Sequence, residues 1–174
     1  MYTVNKLVDS LTEVWSGCEA WIQACNVVKD DYHGGAFEGN ECRKLLKNVA
    51  KLRSIIPEQF IGYADTLEKI DKVVKACYGT QLLPSYKEDI VDFRNSYLDL
   101  GISVTPKVHG VMFHVEEYCS AVGMGLGPWS EQCSEAIHHD FLTVWKNFKI
   151  KKMDHKDYGT NLLKAVRMYN GKHV

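Results

Sequence analysis

The chain has 174 residues, of which 45% are hydrophobic and 25% charged, as in a globular protein with one sizeable core. Twenty-one Lys and Arg stand against 22 Asp and Glu, which gives a formal net charge of −1. This balance excludes a uniformly basic protein that wraps nucleic acid or lies on an anionic membrane, and leaves only local contacts of that kind. No segment reaches the roughly 20 apolar residues of a membrane span. We therefore expect one compact domain over residues 1–174.

The first predicted helix covers about residues 3–29. Its apolar stripe recurs in alternating steps of four and three residues, at Val4, Val8, Leu11, Trp15, Cys18, Ile22 and Cys25. The two adjacent glycines of the following segment, DDYHGGAFEGN, end this helix, and Asn40 is predicted to cap a second one. The stripe of the second helix is Cys42, Leu45, Leu46, Val49 and Leu52.

Three of the four prolines mark the next three predicted helices. Pro57 is suited to the first turn of a third helix, which runs to about Cys77. A fourth helix follows Pro84 and stops at Gly101. Thr105 is predicted to cap a fifth helix that Pro106 opens and that continues through Val108, Met112, Val115 and Cys119.

Glycines separate the fifth helix from two further predicted helices. The sixth helix is predicted to begin at Trp129 or Ser130, with a stripe at Cys133, Ile137, Phe141, Val144 and Phe148. The seventh begins at about Lys156 and uses Leu162, Leu163, Val166 and Tyr169. No segment alternates with a period of two, so the fold class is all-α, a single bundle of about six or seven helices.

Six cysteines are spread singly along the chain, without a CxxC pair or a cluster of the kind that binds zinc. Most of them fall on the apolar faces of the predicted helices, where a free cysteine behaves as a small hydrophobic residue. The N-terminus lacks the apolar run of a signal peptide. We therefore expect reduced, buried thiols in an intracellular protein, nuclear or cytoplasmic.

The segment GLGPWSEQCSEAIHHDF, residues 125–141, concentrates ionisable side chains. On a helical wheel Glu135 lies nearly opposite the apolar stripe with Glu131 and His138 beside it, so this face points to solvent or to a partner. A metal-binding bundle is one alternative, because Glu135 and His138 have the spacing of the Glu-x-x-His pairs in di-iron bundles. Such a site needs a second pair and two more glutamates, and only one pair is present. We predict no metal site and no cofactor in this chain.

Other motifs have less specific interpretations. The glycine segments HGGAFEGN and GMGLGPW lack the spacing of phosphate-binding loops and are predicted to be tight corners between helices. His114 and Glu117 repeat the metal-type spacing in reversed order, and His109 lies about 140° from His114 on the fifth helix. His33 and His109 are more typical of side chains that hydrogen-bond to the backbone at helix boundaries than of catalytic bases.

Two short segments, KNVAKLR and KIKKMDHK, could contact nucleic acid locally. Their candidate residues are Lys47, Arg53, Lys149, Lys151 and Lys152. The glycine-rich corners suggest a different contact, in which exposed Phe37, Leu126 and Trp129 dock a protein partner or a second copy of the chain.

Four phrases carry a family resemblance: YHGGAFEGNECRKLLKNV, GISVTPKVHGVMFHVEEYC, GLGPWSEQCSEAIHHDF and YGTNLLKAVRMYNGKHV. In the same order, they resemble the C-terminal region of proteins encoded by invertebrate mobile elements, which look like RNase H-like transposases with an acidic triad. The resemblance implies that Glu135, or else Glu131, matches the late glutamate of the triad. A divalent metal would then bind only if a domain outside this chain completed the site.

The chain departs from the transposase pattern because no aspartate pair lies on predicted strands, and two-metal cleavage needs at least three ligands. We therefore expect a transposable-element-derived helical domain that is non-catalytic on its own and serves as an interaction or nucleic-acid-associated module. The alternative is a self-contained, homo-oligomerising interaction protein, and a weaker alternative is the metal-binding bundle.

Overall fold

The computed structural model describes residues 2–30, 35–129, 140–150, 152 and 154–171. Within these ranges it has α-helices, short 3-10 turns and one isolated β-bridge between Asp30 and Ala36. This confirms the predicted all-α class. The chain divides into two compact units, residues 1–127 and 128–174, and the single domain over residues 1–174 stays a prediction.

The described part of the first unit contains eight α-helices. They are α1 (Tyr2–Val14), α2 (Gly17–Ala24), α3 (Gly39–Lys47), α4 (Val49–Ile55), α5 (Ile61–Cys77), α6 (Tyr86–Asp99), α7 (Pro106–Phe113) and α8 (Val115–Val122). In the second unit, residues 140–145 form the described part of α9, and α10 spans Tyr158–Gly171. The described residues thus contain ten α-helices, and the predicted number of six or seven is wrong.

The number differs because each of three predicted helices is divided into two shorter helices in the structure. The predicted first helix breaks at Ser16 between α1 and α2, the second at Asn48 between α3 and α4, and the fifth at His114 between α7 and α8. Asn48 leaves helical geometry with φ −105° and ψ 14°, and its carbonyl accepts a hydrogen bond from Trp21 Nε1 at 3.2 Å. This tertiary contact adds to the hydrogen bonds that the same carbonyl accepts from Lys51 N and Leu52 N in the first turn of α4.

The first break shifts the buried face of the helix that follows it. Trp21 is buried in α2, whereas Ile22, which belonged to the predicted stripe, is only half-buried. A Cβ at Gly17 would lie 2.3 Å from the indole ring of Trp15, so a larger residue at the start of α2 would require this ring to move. The ring therefore lies against the backbone at the break between α1 and α2.

Several predicted helix ends are confirmed. Thr105 caps α7 by accepting a hydrogen bond from Val108 N at 3.3 Å, and Pro106 is the first helical residue. Gly101, beyond the end of α6, has a φ of 65°. One predicted cap is displaced, because α3 begins at Gly39 rather than after Asn40.

The core of the first unit forms around α1 and the pair α5–α6. Val4, Leu7, Val8 and Leu11 of α1 are all fully buried, at the spacing of one helical face. The α5–α6 pair is antiparallel, because Gly62 approaches Leu100 while Thr66 hydrogen-bonds to Ser96. Thr66 Oγ1 and Ser96 Oγ lie 2.7 Å apart, so the buried hydroxyls satisfy each other.

The second unit has a smaller core of its own, formed by Val144, Trp145 and Ala165. Aromatic rings close it: Phe141 packs edge-to-face on Tyr169 at 5.8 Å, and Trp145 on Tyr158 at 5.6 Å.

The predicted face of the last helix is partly wrong. The inward positions of α10 are Tyr158, Leu162, Ala165 and Tyr169, whereas Leu163 is 60% exposed and Val166 is also exposed. Aromatic rings of α9 pack against these inward positions. The spacing of apolar residues within α10 does not by itself distinguish the inward face from the exposed one. None of the described helices combines the length and apolar character needed to cross a bilayer.

Candidate nucleic-acid interface

The acidic cluster predicted from the sequence falls on residues whose structure is not described. Glu131, Glu135 and His138 all lie outside the described residues, as does Lys151. The same holds for the side chain of Trp129. Their proposed roles therefore stay predictions.

Among the described residues, His109, His114 and Glu117 have the spacing most similar to that of a metal site. His109 lies in α7, His114 between α7 and α8, and Glu117 in α8. His114 Nδ1 lies 3.9 Å from Glu117 Oε2, and the rings of His109 and His114 are 5.1 Å apart. All three residues are exposed. Among the described residues, no three His, Cys, Asp or Glu side chains are grouped closely enough to hold a metal ion.

The described cysteines are free and buried, as predicted: Cys18, Cys25, Cys42, Cys77 and Cys119. Burial raises the pKa of each thiol, to about 11 for Cys42 and to about 12 for Cys77, which also faces Cys119. Little thiolate therefore exists at neutral pH, and thiolate is the nucleophilic form. These cysteines are core residues and not candidates for catalysis.

The raised thiol pKa values predict alkaline destabilisation. As the pH rises above the usual thiol pKa of 9.0, the unfolded chain loses thiol protons while the folded chain keeps them. The unfolded state then binds fewer protons, so the free energy of unfolding falls between pH 9.0 and about 12, by at most about 1.4 kcal/mol per pH unit for each thiol. Denaturant titrations followed by circular dichroism above and below pH 9.0 measure this slope. Cys77→Ala should make it shallower, and a flat alkaline profile would contradict the assignment.

The two predicted basic positions of α3 and α4 differ in their surroundings. Lys47 is exposed, and no described acidic side chain pairs with it. Arg53 binds Glu68 through two hydrogen bonds of 2.9 and 3.0 Å and also binds Asp65. These carboxylates raise the pKa of Arg53 and neutralise its charge locally. Arg53 is therefore poorly placed for phosphate binding.

Phe37 is buried, contrary to the expectation that it forms an exposed docking corner. Its side chain is 3% exposed, and the side chain of Asn5 holds its backbone. Asn5 Oδ1 accepts from Phe37 N at 2.7 Å, and Asn5 Nδ2 donates to Phe37 O at 2.9 Å. This long-range clamp fastens the loop before α3 onto α1. The predicted interaction role of Phe37 loses its basis, because the ring belongs to the core.

Leu126 lies in a glycine segment that packs backbone against backbone. Leu126 N donates to Cys77 O at 2.6 Å, Gly125 N to Thr80 O at 3.2 Å, and Gly127 N to Gly79 O at 3.0 Å. The Leu126 side chain is half-buried on the core of the first unit. The glycines of this segment admit the neighbouring backbone, and the predicted tight corner between two helices stays a prediction. Leu126 helps to fasten this loop.

The charge of the chain is divided unevenly between the two units. Residues 1–127 contain 13 Lys and Arg against 17 Asp and Glu, a formal charge of −4, whereas residues 128–174 contain eight against five, a charge of +3. Six cations of the second unit are described and exposed: Lys146, Lys149, Lys152, Lys156, Lys164 and Arg167. None of them forms an ion pair with a described acidic residue. Their charges are available to an anionic partner.

Four of these cations lie in the connection between α9 and α10, which we call the basic connection: residues 146–156. Asn161 of α10 donates from Nδ2 to Phe148 O at 3.1 Å, and Phe148 packs against the small core. This anchor holds the backbone immediately before Lys149. The sequence reasoning identified Lys149 and Lys152 from their local run.

Lys146, Lys164 and Arg167 were missed as candidates, and Lys156, although inside the predicted segment KIKKMDHK, was not singled out. Their signal was the excess of cations over anions after residue 127, which a net charge of −1 for the whole chain conceals.

The comparisons with known proteins add no family to this description. No protein-family model, no curated protein and no solved structure significantly matches the chain. The resemblance to mobile-element proteins therefore stays a prediction. A function for this chain has to be inferred from the arrangement of its own residues.

Proposed function

We propose that this chain is a nucleic-acid-associated helical module, derived from a mobile-element protein and non-catalytic on its own. It contacts the phosphate backbone through the basic connection and the neighbouring cations of α10. The observation that carries the proposal is the set of six exposed cations without an acidic partner among the described residues of the second unit. The order of the four resembling phrases supports the mobile-element origin.

The distribution of charge supports local contact with phosphate. Binding of lysines to phosphates releases condensed counterions, so even a few exposed cations give a salt-dependent affinity that does not depend on base sequence. The first unit, with a formal charge of −4, does not favour wrapping of the whole molecule by nucleic acid. The module should therefore occupy a short site and bind weakly at high salt.

The double variant Lys149→Gln/Lys152→Gln tests this function. We expect its affinity for a labelled DNA duplex to fall about tenfold at low salt, because two phosphate contacts are lost. The slope of log affinity against log salt concentration should fall by about 1 for each lysine. Fluorescence anisotropy over a salt series measures both quantities.

The matched control is Lys72→Gln/Lys75→Gln, which removes the same charge from two exposed lysines of α5 in the first unit. Equal losses for the two double variants would reduce the effect to net charge and contradict the assigned surface. Cleavage or strand transfer of element-end DNA by this chain with Mg²⁺ or Mn²⁺ would contradict the non-catalytic part.

A further inference from the structure

An exposed group of aromatic and cationic side chains surrounds α7 in the first unit. We call it the α7 surface and define it by Tyr2, Arg94, Lys107, His109, Phe113 and His114. The buried face of α7 consists of Val108, Val111 and Met112. Phe113 lies off that face and is 44% exposed, so this large apolar ring has no function in the core.

The rings of His109, Phe113 and His114 lie close to one another. The His109 and Phe113 rings are 4.8 Å apart with a tilt of 39°, and the His109 and His114 rings are 5.1 Å apart. The guanidinium carbon of Arg94 lies 5.5 Å from the centre of the Phe113 ring. Arg94 belongs to α6, so packing of α6 against α7 brings the guanidinium to the ring.

A second ring and cation pair lies at the N-terminal end of α7, where α1 packs against this helix. Lys107 Nζ lies over the ring of Tyr2, which is 61% exposed at the start of α1. One acidic side chain, Glu117, lies at the edge, 3.9 Å from His114 Nδ1. The surface thus presents two cations of different helices, each over one face of a ring that stays partly exposed.

We propose that the α7 surface binds single-stranded nucleic acid. Unpaired bases would stack on the exposed rings around Phe113 and Tyr2, and the flanking phosphates would meet Arg94 and Lys107. Proteins that bind single strands without sequence preference combine these same elements, stacking rings and nearby cations. The inference deepens the proposed function and rests on it, since it specifies the form of nucleic acid that the module binds.

Base accessibility selects the single strand over the duplex. Bases within a duplex are stacked on their neighbours and leave no free face for Phe113, whereas an unpaired strand exposes its bases. The basic connection supplies ionic contact to either form. Selectivity for single strands should therefore come from the rings of the α7 surface.

Two substitutions of one exposed residue test this proposal. Phe113→Leu keeps an apolar side chain but removes the ring, whereas Phe113→Tyr keeps the ring. Because Phe113 is largely exposed, both variants should fold, which circular dichroism verifies. Binding to an oligothymidine of about 15 nucleotides and to a duplex of equal length is measured by fluorescence anisotropy.

We expect Phe113→Leu to weaken single-strand binding about tenfold, to leave duplex binding unchanged and to keep the salt slope, since stacking is not ionic. Phe113→Tyr should retain the affinity of the unaltered chain. Equal affinities of the leucine and tyrosine variants for the single strand would overturn the proposal, as would a parallel loss of duplex binding.

Failure of this inference is distinguishable from failure of the proposed function. Duplex binding that depends on Lys149 and Lys152 but not on Phe113 would retain the function and overturn the α7 surface. Single-strand binding that depends on Phe113 but not on the two lysines would overturn the basic connection and retain the α7 surface. Absence of binding to both oligonucleotides would overturn both.

Discussion

Gly125→Ala is expected to lower the free energy of unfolding by about 3 kcal/mol. A Cβ at this position would lie 2.1 Å from the carbonyl oxygen of Gly79 and 3.1 Å from that of Cys77. Both neighbours are backbone atoms, so no flexible side chain can move aside. The hydrogen bonds that Gly125 and Leu126 donate across this contact would lengthen or break. Denaturant unfolding followed by circular dichroism measures the loss.

Gly110→Ala is the matched control for this prediction. Gly110 lies inside α7, and a Cβ there would have no atom within 4 Å. Alanine is favoured over glycine in a helix interior, so we expect a gain of about 0.5–1 kcal/mol. Similar losses in both variants would show that glycine is not required by close packing at Gly125, and the account of this loop would be wrong.

Asn5→Ala is expected to cost about 3 kcal/mol, because it removes both halves of a buried clamp. The backbone N–H and C=O of Phe37 would each lose the hydrogen bond from Asn5, at a depth where water does not replace it readily. The loop before α3 would then be less firmly attached to α1. Calorimetric or denaturant unfolding measures the effect, and hydrogen exchange at Phe37 N should accelerate.

Asn48→Ala provides the comparison for Asn5→Ala. Asn48 Nδ2 also donates to a backbone carbonyl, that of Lys44 at 2.8 Å, but this bond is exposed and water can replace it. We expect a loss below about 1 kcal/mol. Equal losses of unfolding free energy in the two alanine variants would show that burial does not strengthen the hydrogen bonds of Asn5.

The fold class followed from local patterns. Apolar spacing in α1 identified the buried Val4, Val8 and Leu11, and the Thr105–Pro106 pair identified the start of α7. These signals are reliable because helix periodicity and capping depend on residues within one or two turns of each other.

The helix count failed where side chains contact the backbone. The break at Asn48 coincides with a hydrogen bond from Trp21, which is distant in sequence, and at the start of α2 the ring of Trp15, two positions away, lies against Gly17. A stripe in steps of three and four continues across such breaks, so spacing alone counts two helices as one. The predicted face of α10 was partly wrong for a related reason. Leu162 and Leu163 have equal hydrophobicity, but only Leu162 packs against the small core that α9 forms with α10.

The candidate site was predicted in part. The local run of lysines identified Lys149 and Lys152, but pattern alone also selected Arg53, whose guanidinium is occupied by two carboxylates. Phe113 was not predicted as a site residue, because its neighbours Val108 and Met112 accounted for the apolar stripe of the predicted helix. Its significance depends on Arg94, 19 positions away, which reaches it through packing of α6 on α7.

The sequence by itself determined that the described chain is helical, where many of its helices begin, and that its cysteines are hydrophobic core residues. Only the tertiary structure decided that Phe37 is buried, that the six described cations after residue 127 stand without described acidic partners, and that rings and cations meet around α7. The physical reason is range: helix formation is settled by neighbours along the chain, whereas burial, charge pairing and stacking depend on which distant side chain covers each position.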